Sequence, residues 1–96
     1  MVRFTTASIS NGTLQVTGPA DGDPGMEVKH LRFTIAQGDA MVEDEANVSG
    51  GEWAGSTSAG GLQPGPAVGI GLAVLFNAAS PGSYETRTWA EPITVT

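Results

Sequence analysis

In Glu27-Val28-Lys29-His30-Leu31-Arg32-Phe33-Thr34-Ile35-Ala36-Gln37, large apolar side chains fall on every second position from Leu31 to Ile35. Leu31, Phe33 and Ile35 share one face, and His30, Arg32 and Thr34 share the other. A helix would scatter both sets around its axis. An extended strand turns successive side chains to opposite faces, so the segment is a half-buried β-strand. Gly38-Asp39 follows as a hairpin turn. A strand with one apolar face needs a second layer to cover it, and the rest of the chain must supply that layer.

Towards the N-terminus, Val2 to Ile9 alternates as a strand. Asn11-Gly12 offers the positive backbone dihedrals of a two-residue hairpin, and Thr13 to Thr17 returns with Leu14 and Val16 on one face. Gly18-Pro19-Ala20-Asp21-Gly22-Asp23-Pro24-Gly25 is dense in turn formers and reads as a surface loop. Towards the C-terminus, Ala40 to Val48 is a strand with Val42, Ala46 and Val48 in phase. Asp44 has the same parity, and a carboxylate is not buried unpaired, so a bulge or an edge position is expected there. Glu52 to Thr57 forms a short strand around Trp53, and Ser58 to Pro66 is expected to be an ordinary mobile surface loop.

Ala67 to Asn77 is the most apolar segment. Val68, Ile70, Leu72, Val74 and Phe76 fall on one face, and Gly69, Gly71, Ala73 and Leu75 on the other. This composition predicts a central strand buried on both sides, with another layer close against the small residues. Tyr84 to Thr96 places Trp89, Ile93 and Val95 in phase, and Pro92 lacks the amide a central ladder requires, so this is expected to be an edge strand, or one bulged at Pro92. The expected core sets Leu31, Phe33 and Ile35 against Val68, Ile70, Leu72 and Trp89.

The 96 residues leave room for one domain, spanning 1–96. Fourteen glycines and six prolines favour short strands and tight turns over long helices. The fold class is all-β: an immunoglobulin-like antiparallel two-sheet β-sandwich of about seven strands, with a small closed barrel as its structural rival. A formal net charge of −6 repels phosphate backbones and argues against nucleic acid as a partner. The absence of cysteine removes disulfide frameworks, thiolate zinc sites and cysteine nucleophiles. The apolar run Ala67 to Phe76 is far below the roughly 20 residues of a membrane helix, so no membrane insertion is expected. Met1-Val2-Arg3-Phe4-Thr5 passes directly into strand-like sequence without the apolar core of a signal peptide. That suits synthesis in the cytoplasm followed by assembly, although the location itself is open.

From Gly50 onward, Gly50-Gly51-Glu52-Trp53, then Leu62-Gln63-Pro64-Gly65, then a long apolar strand resembles the second half of bacterial immunoglobulin-like repeats of the fibronectin-III-like kind. In that family a glycine-flanked tryptophan strand precedes a Leu-x-x-Gly turn that launches the next strand. Ala67 stands where that family usually has an aromatic, so the hydroxyl anchor of a tyrosine corner is missing. The Asp-x-x-Gly-Asn signature with which some such repeats hold calcium is also missing. The resemblance implies an adhesive, spacing or decorating role and carries over no catalytic residue.

His30 is the only histidine and lies on the outward face of its strand, with no second histidine or cysteine to complete a transition-metal site. No nucleophile-elbow motif joins it to a serine. No catalytic residue and no cofactor are therefore assigned, and the chain is not read as an enzyme. Asp21 and Asp23 are the candidate calcium ligands, with turn chemistry as the plainer account. Glu43 to Glu45 reads as solubilising charge that protects a sheet edge. Trp53, Trp89 and Tyr84 are the candidate binding residues. Exposed, they could stack a sugar; buried, a tryptophan fills the space between sheets. The function expected is a structural or protein-interaction module, an accessory on a bacterial surface structure or a phage virion. A carbohydrate-binding module is the alternative.

Overall fold

The computed structural model describes residues 2–21, 25–77 and 83–96. Its strands are β1 (Thr6–Ser10), β2 (Thr13–Pro19), β3 (Met26–Gln37), β4 (Ala40–Ser49), β5 (Glu52–Ser58), β6 (Gly65–Asn77) and β7 (Tyr84–Val95). No helix occurs among the described residues. The strands lie in the order β1-β2-β5-β4-β3-β6-β7, each antiparallel to its neighbours, and hydrogen bonding passes through all seven without a break. They form one curled sheet.

The sheet turns at β4. Residues Ala40–Ala46 pair with β3, and only Asn47–Ser49 continue onto β5. This division folds β1, β2 and β5 over β3, β6 and β7. It also settles Asp44, which lies opposite Phe33 in an unbroken register on a stretch with a neighbour on one side only. Half-buried there, its Oδ1 accepts the Glu45 N–H at 2.8 Å. The edge resolves the charge, and the only register shift in β3 is the bulge between Val28 and His30.

The first and last strands meet at a short seam. The Ile9 N–H donates to the Thr96 carbonyl at 2.9 Å, and the Thr96 N–H donates to the Ala7 carbonyl at 3.0 Å. One residue bonded to both neighbours of Ser8 is a parallel pairing. Seven strands that alternate in direction bring the first and last together in the same direction, so the seam has to be parallel.

The core is formed by the facing layers. Leu14, Val16 and Trp53 from one side meet Leu31, Phe33, Ile35 and Leu75 from the other, all buried. Trp53 stacks on Phe33 at 5.9 Å between ring centroids and meets the edge of Phe4 at 5.2 Å. Its indole N–H donates to the Arg3 carbonyl at 3.0 Å, so the one polar atom of this large ring is satisfied. Gly55 lies under Phe33 so closely that a Cβ would overlap the ring.

β6 is not buried on both sides as its composition predicts: the small-residue face is the inner one, and the large-residue face expected in the core is open. Ala67, Gly69, Gly71, Ala73 and Leu75 point inward, and Val68, Ile70 and Leu72 point to solvent, 43%, 41% and 39% exposed. The cause is the size of the neighbours. Trp89 lies across Gly71, where any Cβ would overlap its ring, and a Cβ on Gly69 would come within 2.7 Å of Phe4. Two aromatic rings occupy the interior above β6, so only small residues can lie beneath them.

The turns follow the sequence more closely. Asn11 and Gly12 take φ of 52° and 75°, the left-handed pair of a tight hairpin. β2 runs on through Gly18 and Pro19, which pair with Trp53 and Glu52, so the following loop starts later than its composition suggests. The connection from Ala59 to Pro64, expected as a surface loop, is fastened to the body at several points. Ala59 and Leu62 are buried, Ala59 N–H donates to Gly12, and the Gln37 side chain makes three hydrogen bonds to Gln63 and Pro66.

Candidate binding surface

The inverted facing of β6 creates the most distinctive surface of the chain. On the outer side of β4-β3-β6-β7 the register sets cross-strand rows: Met41, Ala36, Val68 and Pro92; then Glu43, Thr34, Ile70 and Ala90; then Glu45, Arg32, Leu72 and Thr88. The apolar side chains of these rows adjoin one another, because same-face neighbours on paired strands have Cβ atoms about 5 Å apart. Met41, at 66% exposure, extends the stripe across β3 onto β4. Contiguous apolar exposure of this kind marks interaction surfaces on soluble domains.

Charge borders the stripe on one side. Arg32 lies between Glu43 and Glu45, at 3.6 and 3.9 Å, and Thr34 donates to Glu43 at 3.5 Å. These pairs are exposed and contribute little to stability. Their effect is to hold the charged groups against one another beside Ile70 and Leu72. His30 is exposed on the same face, opposite Val74. No group of three or more His, Cys, Asp or Glu suited to a metal occurs among the described residues.

The aromatic candidates lie in three different environments. Trp53 is 1% exposed and offers no face to a sugar. Trp89 is half-buried over Gly71, with its indole N–H bonded to Glu91 at 2.9 Å. Tyr84 is exposed and tilted against Phe76 at 5.5 Å, with the Lys29 ammonium 5.8 Å from the Phe76 ring. The three do not share a platform. Of the calcium candidates, Asp21 is exposed and Asp23 lies outside the described residues.

Glu91 is a residue whose role the sequence did not suggest. Its side chain points to the inner side of β7, and one oxygen accepts both the Trp89 indole N–H and the Phe4 backbone N–H, the latter at 3.2 Å. The carboxylate thereby bridges β7 to the N-terminal segment where the two backbones are not paired. The one sequence signal for it was an acidic residue in phase with Trp89, Ile93 and Val95.

The outward stripe was missed for a similar reason, since larger side chains were assigned to the interior. The available clue was the pairing of a tryptophan strand with a glycine strand, which allows an aromatic ring to lie over glycine. Comparison with protein-family models, curated sequences and solved structures finds no match to this chain.

Proposed function

We propose that this curled sheet, in the manner of a seven-stranded immunoglobulin-like sandwich, is a non-catalytic structural or protein-interaction module. It serves as an accessory on a larger assembly, a bacterial surface structure or a virion. The observation that carries this reading is the outward stripe of Val68, Ile70 and Leu72, each about 40% exposed on a regular sheet face. An apolar face bordered by paired charges suits a protein surface, where the apolar centre is desolvated and the polar rim stays wet. The resemblance of residues 50–96 to bacterial immunoglobulin-like repeats points the same way.

The test is the double variant Ile70→Asp/Leu72→Asp, produced in the source organism beside the unaltered protein. The unaltered chain should sediment with a high-mass assembly, and the double variant should stay at the top of the gradient with an unchanged dichroism spectrum. Equal sedimentation of the two would refute the role of this face. Glycan binding that depends on Tyr84, where an exposed ring does adjoin Phe76, would replace it with the carbohydrate reading.

A further inference from the structure

The side of β7 turned away from β6 has the properties of an acceptor for one more strand. Thr96 directs both its N–H and its C=O at β1, and the Ser83 carbonyl accepts from Asn77 on β6. The ladder between β6 and β7 is unbroken from Gly65↔Val95 to Phe76↔Tyr84. Odd-numbered residues of β7 therefore bond to β6, and even-numbered ones point away from it. Pro92, which has no N–H to give, falls on the outward set, as this parity requires. Tyr84, Thr86, Thr88 and Ala90 thus present their N–H and C=O groups away from β6. Among the described residues, β6 is the only strand paired with this stretch.

A second observation lies beside this edge. A cavity of about 240 Å³ opens next to Thr88 and Trp89, with Val2, Ala73 and Leu75 in its lining and Asp21 and Arg87 also bordering it. Ala73 and Leu75 are fully buried behind it, so its accessible wall is supplied by the half-buried Val2 and Trp89 and by the exposed Thr88. An apolar cavity of roughly 150 Å³ suffices for benzene, so this one accommodates an aliphatic or aromatic side chain.

We propose that the edge of β7 from Tyr84 to Ala90 takes up an extended segment of a partner polypeptide, which pairs with the outward backbone groups and places one apolar side chain in the cavity beside Val2, Thr88 and Trp89. A row of alternating donors and acceptors at strand spacing is satisfied by another extended backbone, and the pocket supplies the side-chain selection. A second copy of this chain fits poorly. Paired through its own β7, it would offer only Glu85, Arg87 and Trp89 on the inner side of that stretch; Trp89 is already seated over Gly71 and bonded to Glu91, and the other two would bring a charge against Val2 and Trp89. This site is separate from the outward stripe on β6, and its test does not depend on the assembly proposed above.

The probe is a blocked synthetic heptapeptide, Thr-Val-Thr-Leu-Thr-Val-Thr, titrated into the isotopically labelled protein and followed by amide exchange. Saturation should slow exchange at Thr86, Thr88 and Ala90 by at least tenfold. Replacing the central Leu of the peptide by Asp should weaken binding at least tenfold. Thr88→Pro removes an outward N–H while leaving the β6 ladder intact, as Pro92 already does, and should weaken binding similarly. Thr86→Pro serves as the second variant, with the amide spectrum of each free variant establishing that it is folded. The proposal is overturned by absence of binding at millimolar peptide, by protection confined to β4 or to the Val68–Leu72 face, or by wild-type affinity in both folded proline variants. Concentration-dependent protection of the same amides without peptide would also overturn it, because the occupant would then be a second copy.

Discussion

Exchanging Gly71 for valine and Ile70 for threonine probes adjacent residues on opposite faces of β6, with opposite expectations from those a hydrophobicity scale would assign. At Gly71 the first added carbon already overlaps the Trp89 ring, so the ring must leave its place or the strands must part. Removing a core tryptophan costs about 3–5 kcal/mol, and Trp89 is half-buried, so its displacement is expected to cost about 2–4 kcal/mol. At about 4–8 °C per kcal/mol for a domain of this size, the midpoint should fall by roughly 8–32 °C. Ile70 is 41% exposed, and its replacement by threonine removes the equivalent of one or two methyl groups while the new hydroxyl stays in water. At about 0.8 kcal/mol per fully buried carbon, discounted for exposure, the loss is about 1 kcal/mol or less. Urea unfolding followed by tryptophan emission measures both, and Gly71→Val should also shift the native emission to the red. An Ile70→Thr cost equal to or above that of Gly71→Val would show that the large side chains face the interior, and the outward stripe would not exist.

Trp53→Ala should cost about 3–5 kcal/mol, a large fraction of a small domain's stability, and chemical unfolding at low denaturant checks it. In the intact protein, iodide should quench Trp53 far less than it quenches an exposed indole. Glu91→Ala removes the acceptor shared by Phe4 and Trp89 and should cost about 1–3 kcal/mol. Amide exchange at Phe4 should accelerate ahead of global unfolding. Gln37→Ala takes away three hydrogen bonds to Gln63 and Pro66, for about 1–2 kcal/mol, and the Gln63 amide should lose protection while β2 and β3 keep theirs. Gly12→Ala forces a side chain into φ of 75° and should cost about 1 kcal/mol in thermal unfolding, with no change in the native spectrum beyond the hairpin.

Most of the framework was legible wherever period and turn chemistry agreed. From Leu31 to Ile35 β3 alternates without conflict, so Leu31, Phe33 and Ile35 lie inward as expected, and Asn11-Gly12 marked the hairpin between β1 and β2. The edge placement of β7 followed from Pro92. β6 was misread because both its faces are apolar, so alternation no longer says which side is inner. The deciding term was the volume of Trp89 and Phe4, contributed from elsewhere in the chain. The continuous sheet, in place of two separate ones, depended on β4 changing partners at Asn47, which no local pattern in Ala40 to Ser49 announces. The outward stripe was hidden for the same reason as β6, and the outward-directed backbone groups of β7 can be read only from the strand order.

The parallel seam also gives the domain a preferred direction of mechanical resistance. β1 and β7 run side by side in the same sense, so tension drawn between the N-terminal segment and Thr96 acts along the strands. The two Thr96 hydrogen bonds and the Glu91 bridge to Phe4 are then loaded together in shear, whereas a pull across the strands would break them one after another. A domain held at its two ends in a chain under strain would yield first at Ala7–Ile9 against Thr96, and the force at which that joint slips would set how much stretch the rest of the sheet ever experiences.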